Sequence, residues 1–303
     1  MGMRKRRPIA WLIAVLGIGA LFAGVFLSSE IKDEWRVAED GFLEYPPPAP
    51  EYRFISSEDP SDSNLFEVRF SSRGAEVAGL LRTPEAQPQQ PGGVPGVVLL
   101  PGATVTKERE QGLAKFLSGL GYASVALDQR NMGGVDIQGD LETFLEGQEP
   151  TEYKMVHDAL AAAEVLRMQP EIDPGRIVYV GESNGGRFAI IASALDPKSR
   201  GVIAISTSGY GVEEEIDSLR MTNPDAVKFL RSIDPDTYLK KIPPRKFVMI
   251  HSKSDPVIPI AYARRTYEKA PEPKAMHIVE CATHGRCEEM DPYIEEELAH
   301  MVS

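Results

Sequence analysis

The feature that most constrains this chain is a set of short, uninterrupted apolar runs that recur between amphipathic segments. "GVVLLPG" (96–102), "YASVALD" (122–128), "RIVYVG" (176–181), "GVIAIST" (201–207), "KFVMIHS" (246–252) and "AMHIVE" (275–280) show little polar alternation. A strand with one wet face alternates; a strand covered on both faces does not. Helix-period stretches lie between them, over about 107–119, 150–168, 185–195, 259–270 and 288–302. Short buried strands alternating with helices imply an α/β domain, its mostly parallel sheet carrying helices on both faces. "LFEVRF" (65–70) and "AEVAGLLRTP" (75–84) flank Arg73-Gly74 and read as an antiparallel hairpin that opens the sheet. The segment 207–245 has no strand character and is expected as a lid or cap excursion over the sheet's C-terminal edge.

The N-terminus is of another kind. Residues 1–8 contain Arg4-Lys5-Arg6-Arg7, and no charge follows until Glu30. The apolar run from Ile9 to Leu27 is 19 residues long, about 28 Å as a helix, close to the hydrocarbon thickness of a bilayer. Residues 9–29 therefore read as a transmembrane signal anchor, with a cleaved signal peptide as the alternative. Basic residues before the run and acidic ones after it keep the N-terminus cytoplasmic. The domain is then expected outside the cytoplasm, in either case. Residues 30–62, with "YPPPAPEY" and "SSEDPSDS", read as a Pro/Ser-rich linker. Residues 63–303 remain for the folded domain. The formal net charge of −12 argues against nucleic acid as a partner.

In an open parallel sheet, chemistry gathers in loops at the carboxyl ends of the strands. Those ends hold Pro101-Gly102-Ala103, Asp128-Gln129-Arg130, "GESNGG" (181–186), "HSKSDPVIP" (251–259) and "CATHGRC" (281–287). "GESNGG" matches G-x-S-x-G, with a strand before it and a helix after it. A serine on so tight a turn needs small neighbours, here Gly181 and Gly185. Ser183 is the candidate nucleophile. It needs a base, and the base needs an orienting acid. His157 lies within a helix, His251 at a strand end, His277 inside a strand and His300 near the terminus. His284, in the loop after the last strand, is the candidate base. Asp255 is the candidate acid, with Asp128 as a rival whose strand precedes the serine.

The order Ser183, Asp255, His284, the elbow, the "HSKSDPVIP" segment, the "THG" loop and "ALDQRNMGG" (126–134) together resemble an α/β-hydrolase-fold serine hydrolase over about residues 64–300. "ALDQRNMGG" is similar to the family's D-x-R-G-x-G turn, with Asn131 replacing the first glycine. The branch resembled is dienelactone-hydrolase-like or esterase–acyl-peptidase, with serine rather than cysteine at the elbow. The resemblance implies the α/β-hydrolase fold and a carboxylesterase that acts on a small-molecule acyl substrate and needs no cofactor. It also implies an oxyanion hole of two backbone N–H groups, that of Asn184 and one from the loop after the third strand, here Ala103 with Gly102 and Thr104 as neighbours. That loop carries Pro101-Gly102-Ala103 where many members have His-Gly.

Peptidase and thioesterase are alternatives on the same fold, and a non-catalytic binding module is an alternative of another class. The only two cysteines, Cys281 and Cys287, stand three residues either side of His284. Outside the cytoplasm they are expected to form a disulfide, with two free thiols as the alternative. As C-x2-H-x2-C they offer three soft ligands, one short of a structural zinc site, and no metal is expected.

Overall fold

The computed structural model describes residues 35–55, 62, 64–84 and 92–303. The expected basic terminus and the transmembrane anchor, 1–8 and 9–29, lie outside the described residues. Among the described residues no helix is long and apolar enough to cross a membrane.

The strands are β1 Arg36–Val37, β2 Leu43–Glu44, β3 Tyr52–Ile55, β4 Leu65–Ser72, β5 Ala75–Arg82, β6 Val94–Leu100, β7 Ala123–Leu127, β8 Ile172–Glu182, β9 Gly201–Ile205, β10 Lys246–Ser252 and β11 Lys274–Val279. β1 and β2 form a small antiparallel ribbon. The other nine form one sheet in the order β11-β10-β9-β8-β6-β7-β5-β4-β3. From β11 to β7 every pairing is parallel; from β7 to β3 every pairing is antiparallel. The hairpin β4–β5 therefore extends the parallel sheet at one side, and the whole is an α/β-hydrolase fold.

The helices are α1 Gln111–Gly119, α2 Ile137–Leu145, α3 Thr151–Arg167, α4 Asn184–Leu195, α5 Val212–Leu219, α6 Pro224–Ile233, α7 Pro235–Tyr238, α8 Ile260–Lys269 and α9 Asp291–Val302. The apolar runs divide between two cores by alternation, because successive side chains leave a strand on opposite faces. Val97, Leu99, Val178, Val180, Ile203, Ile205, Val248 and Ile250 pack with Leu113 and Leu117 of α1 and Ile294 and Leu298 of α9. Val98, Leu100, Tyr179, Val202, Ala204, Phe247 and Met249 pack with α3 and α4 on the other face. Both faces are dry, which is why these strands lack polar alternation.

One expectation needs correction. The stretch 30–62 is not a free linker where it is described. β3 pairs with β4 and widens the sheet. Phe42 is buried edge-on to Tyr238, Trp35 meets Tyr153, and the Leu43 N–H donates to the Tyr238 hydroxyl at 2.9 Å. The prolines of "YPPPAPEY" suggest a solvated tether, but the aromatic and aliphatic residues between the turns supply enough apolar area to hold the segment down. The excursion 207–245 folds as α5, α6 and α7, and its Phe229, Ile233 and Tyr238 join the main core. It is a packed cap.

Candidate active site

The end of β8 delivers Ser183 into a turn that few residues adopt. Its backbone sits at φ 53°, ψ −121°, outside the regions favoured by a side chain with a Cβ, at a cost of about 1–3 kcal/mol. The surroundings enforce it. Ser183 N–H donates to Ile205 O at 2.9 Å, and the Thr207 hydroxyl donates to Ser183 O at 2.7 Å. The flanking glycines are needed for close approach. A Cβ on Gly181 would collide with the Gly185 carbonyl, and one on Gly185 with the carbonyls of Leu100 and Pro101.

The structure brings Ser183, His284 and Asp255 together. His284 Nε2 lies 2.8 Å from Ser183 Oγ, and His284 Nδ1 lies 3.0 Å from each oxygen of Asp255. A carboxylate only accepts, so Nδ1 carries the proton, and Nε2 is left to accept from the serine hydroxyl. Asp255 is fixed by the N–H groups of Val257 and Ile258, which donate to its Oδ1 at 2.8 and 2.9 Å. Burial raises the Asp255 carboxyl, but the hydrogen bond from His284 and the two backbone donors outweigh it and hold it below the ordinary carboxylate value. The acid therefore stays ionised at neutral pH.

The other candidates lie elsewhere. Asp128 accepts from the Lys107 backbone N–H and, at 2.5 Å, from its ammonium. His157 Nδ1 is 2.8 Å from Ser72 Oγ, and His277 Nε2 is 2.7 Å from Glu297. His251 is buried against Ile258 O, and burial lowers its pKa. It supports the loop that carries Asp255.

Asn184 follows the serine in the chain, and Ala103 follows Gly102. Gly102 runs so close to the elbow that a Cβ there would lie 3.3 Å from Ser183 Cβ. The Thr104 N–H is engaged by Met132 O at 2.7 Å, which removes that neighbour as a free donor. Asn131 and Met132 both adopt left-handed backbone conformations to present that carbonyl. The Asn184 side chain donates to Gly133 O at 3.1 Å and accepts from Arg187 at 2.6 Å. These ties fix the "ALDQRNMGG" turn against the elbow, a support that sequence reasoning recognised only as a similar motif. Its Arg130 forms a bidentate pair with Asp158, at 2.7 and 2.9 Å, and donates to Ser72 O.

Cys281 and Cys287 are paired with each other, their Cα atoms 7.0 Å apart, across the loop that bears His284. Glu289 lies near the two sulfurs. His284 faces Ser183 instead, so the C-x2-H-x2-C set does not converge.

The profile of the acetyl xylan esterase (AXE1) family matches residues 48–238, more than half of the chain. The chain belongs to the acetyl xylan esterase (AXE1) family. The match begins within residues 30–62, in the stretch that β3 ties into the sheet. It is 27% identical over 138 residues to the uncharacterized protein YfhR of Escherichia coli O157:H7, covering 45% of this chain and 47% of that one. It is 26% identical over 200 residues to the uncharacterized protein MT2364 of Mycobacterium tuberculosis, covering 66% of each. The chain thus spans about half the length of the E. coli relative. Among solved structures, acetyl xylan esterases from Paenibacillus sp. R4 and from Thermoanaerobacterium share the fold. Their TM-scores are 0.66 and 0.61, each at 18% identity, covering 85% and 84% of this chain and 89% of each of theirs. The acylaminoacyl peptidase of Pyrococcus horikoshii shares it at TM-score 0.56 and 19% identity, over 84% of this chain and 41% of its own.

Proposed function

We propose that this AXE1-family chain is a serine carboxylic ester hydrolase working through an acyl-enzyme. The observation that carries the reading is the unbroken chain of hydrogen bonds from Ser183 Oγ through His284 to Asp255, set on a strained elbow. Ser183 attacks the ester carbonyl while His284 Nε2 takes its proton. The backbone N–H groups of Asn184 and Ala103 stabilise the oxyanion, a contribution of about 3–4 kcal/mol per donor in comparable sites. His284 then returns the proton to the leaving alcohol, and water repeats the sequence to release the acid. Asp255, ionised and immobile, favours the imidazolium formed in each half.

Family membership and the names of two fold neighbours support a short acyl group, acetyl first. Nitrophenyl esters of increasing acyl length, assayed beside aminoacyl-nitroanilides, test this. Hydrolysis of acetyl ester with loss in Ser183→Ala is the expected result. Nitroanilide cleavage without ester cleavage would make the protein a peptidase. A fluorophosphonate probe that leaves folded wild type unlabelled would remove the reading altogether.

We further propose that residues 9–29 hold the domain at the membrane, on the extracytoplasmic side, where the Cys281–Cys287 bond persists. The uncharged apolar run behind Arg4-Lys5-Arg6-Arg7 supports it. Carbonate-resistant membrane association and cleavage by external protease are the expected results; release of the domain by carbonate would refute anchoring.

A further inference from the structure

Glu182 precedes the nucleophile and has no part in the steps above, yet it grips the backbone that carries His284. Its Oε2 accepts a hydrogen bond from the Arg286 N–H at 3.1 Å. The same oxygen lies over Gly285, where a Cβ would come within 2.6 Å of it, and Gly285 has a φ of +86°. From the other side, the buried Ser206 hydroxyl donates to Gly285 O at 3.4 Å. The two residues after the base are therefore held by a side chain from the nucleophile's own strand.

We propose that Glu182 is a positioning residue: its carboxylate ties the His284 loop to the elbow and places a negative charge behind the imidazole. The proposal rests on Ser183 and His284 being nucleophile and base. The hydrogen bond keeps the serine–histidine distance short, and the charge favours the imidazolium as it forms.

The charged groups around Glu182 are few. Glu110, the buried residue just before α1, faces it, as do Arg286 and His284. The Arg286 guanidinium is itself held by Asp291 through two bonds of 2.6 Å. Burial raises both carboxyls, and Glu110, with Glu182 adding to the effect, is pushed up to about 8. Of the two carboxyls, Glu182 is the one with a backbone donor, and the Arg286 N–H favours its ionised form over that of Glu110.

Two variants of the full chain separate the hydrogen bond from the charge. Glu182→Gln keeps an acceptor for the Arg286 N–H and removes the charge; Glu182→Leu removes both. With p-nitrophenyl acetate, Glu182→Gln is expected to lower kcat about 5- to 20-fold with KM within twofold, and to move the acid limb of kcat/KM down by about half to one pH unit. Glu182→Leu is expected to lower kcat about 100-fold. An unchanged kcat in Glu182→Gln overturns the proposal. So does a fall in kcat with an unmoved acid limb, which a merely structural residue would give, or a loss confined to KM. If Glu182→Leu does not fold, Glu182→Gln alone decides. Fluorophosphonate titration of wild type keeps the two readings apart: an unlabelled wild type refutes Ser183 as nucleophile, whereas a labelled wild type with an indifferent Glu182→Gln refutes only this inference.

Discussion

Replacing Glu152 with glutamine should make the protein more stable at alkaline pH while leaving it nearly unchanged at pH 5. Glu152 lies in the first turn of α3 and is 3% exposed. Its backbone N–H donates to Asp140, which accepts from Thr151 as well, so the α3 N-terminus already has its counter-charge. Its own Oε1 is buried with no hydrogen-bond partner among the described residues. Burial, followed by repulsion from Asp140, pushes the carboxyl from 4.5 up to about 8, against a smaller pull from Arg187. Between these values the native state keeps a proton that the unfolded chain releases. Stability therefore falls as pH rises from about 4.5, and the loss is complete above about 8. At about 1.4 kcal/mol per pH unit the ceiling is about 5 kcal/mol. Glutamine keeps the shape and never ionises. Urea unfolding of wild type and Glu152→Gln at pH 5 and pH 9 isolates this group with its coupling to Asp140, because titrations that do not sense Glu152 cancel in the difference. The variant should gain about 2–5 kcal/mol over wild type between the two pH values, or about 5–15 °C in Tm for a domain of this size. A gain below about 0.5 kcal/mol would show that Glu152 is ionised without cost, and the argument from burial would fail.

Asp255→Asn should leave the fold intact and lower kcat about 10⁴-fold with little change in KM, since the amide favours the wrong histidine tautomer; steady-state kinetics with p-nitrophenyl acetate check it. The paired Cys281→Ser/Cys287→Ser variant should lose about 2–3 kcal/mol, since a short loop closed by the bond has limited entropy to lose, and wild type treated with reductant should match it in thermal melts. Equal melting of oxidised wild type, reduced wild type and the variant would show the bond to be idle. Phe42→Ala should destabilise the domain by about 3–5 kcal/mol, as a buried aromatic does, which calorimetry reads; a loss within 0.5 kcal/mol would restore the tether reading of this stretch.

The parts of this molecule that could be read from sequence are those governed by local rules. A strand dry on both faces writes itself as an apolar run, and the serine turn writes itself as glycines at fixed spacing, because the carbonyls of Leu100, Pro101 and Gly185 leave no room for a Cβ. What escaped depends on partners far along the chain. Phe42 and Leu43 look like part of a proline-rich tether until Tyr238, about two hundred residues later, closes over them. α2 was not foreseen because "IQGDLETFL" is short and carries a glycine, and its N-terminus is fixed by the Asp136 side chain bonding to Gly139 N–H at 3.0 Å. The choice among Gly102, Ala103 and Thr104 could not be narrowed by pattern either. Only Thr104 is removed, because its N–H is taken by the Met132 carbonyl, aimed by two consecutive left-handed residues. Glu182 shows the limit most sharply. Within G-x-S-x-G its position accepts any residue, so the motif assigns it no role. Only the fold sets it beside Glu110 and against Gly285, and there a variable letter of the motif acquires a definite chemical task.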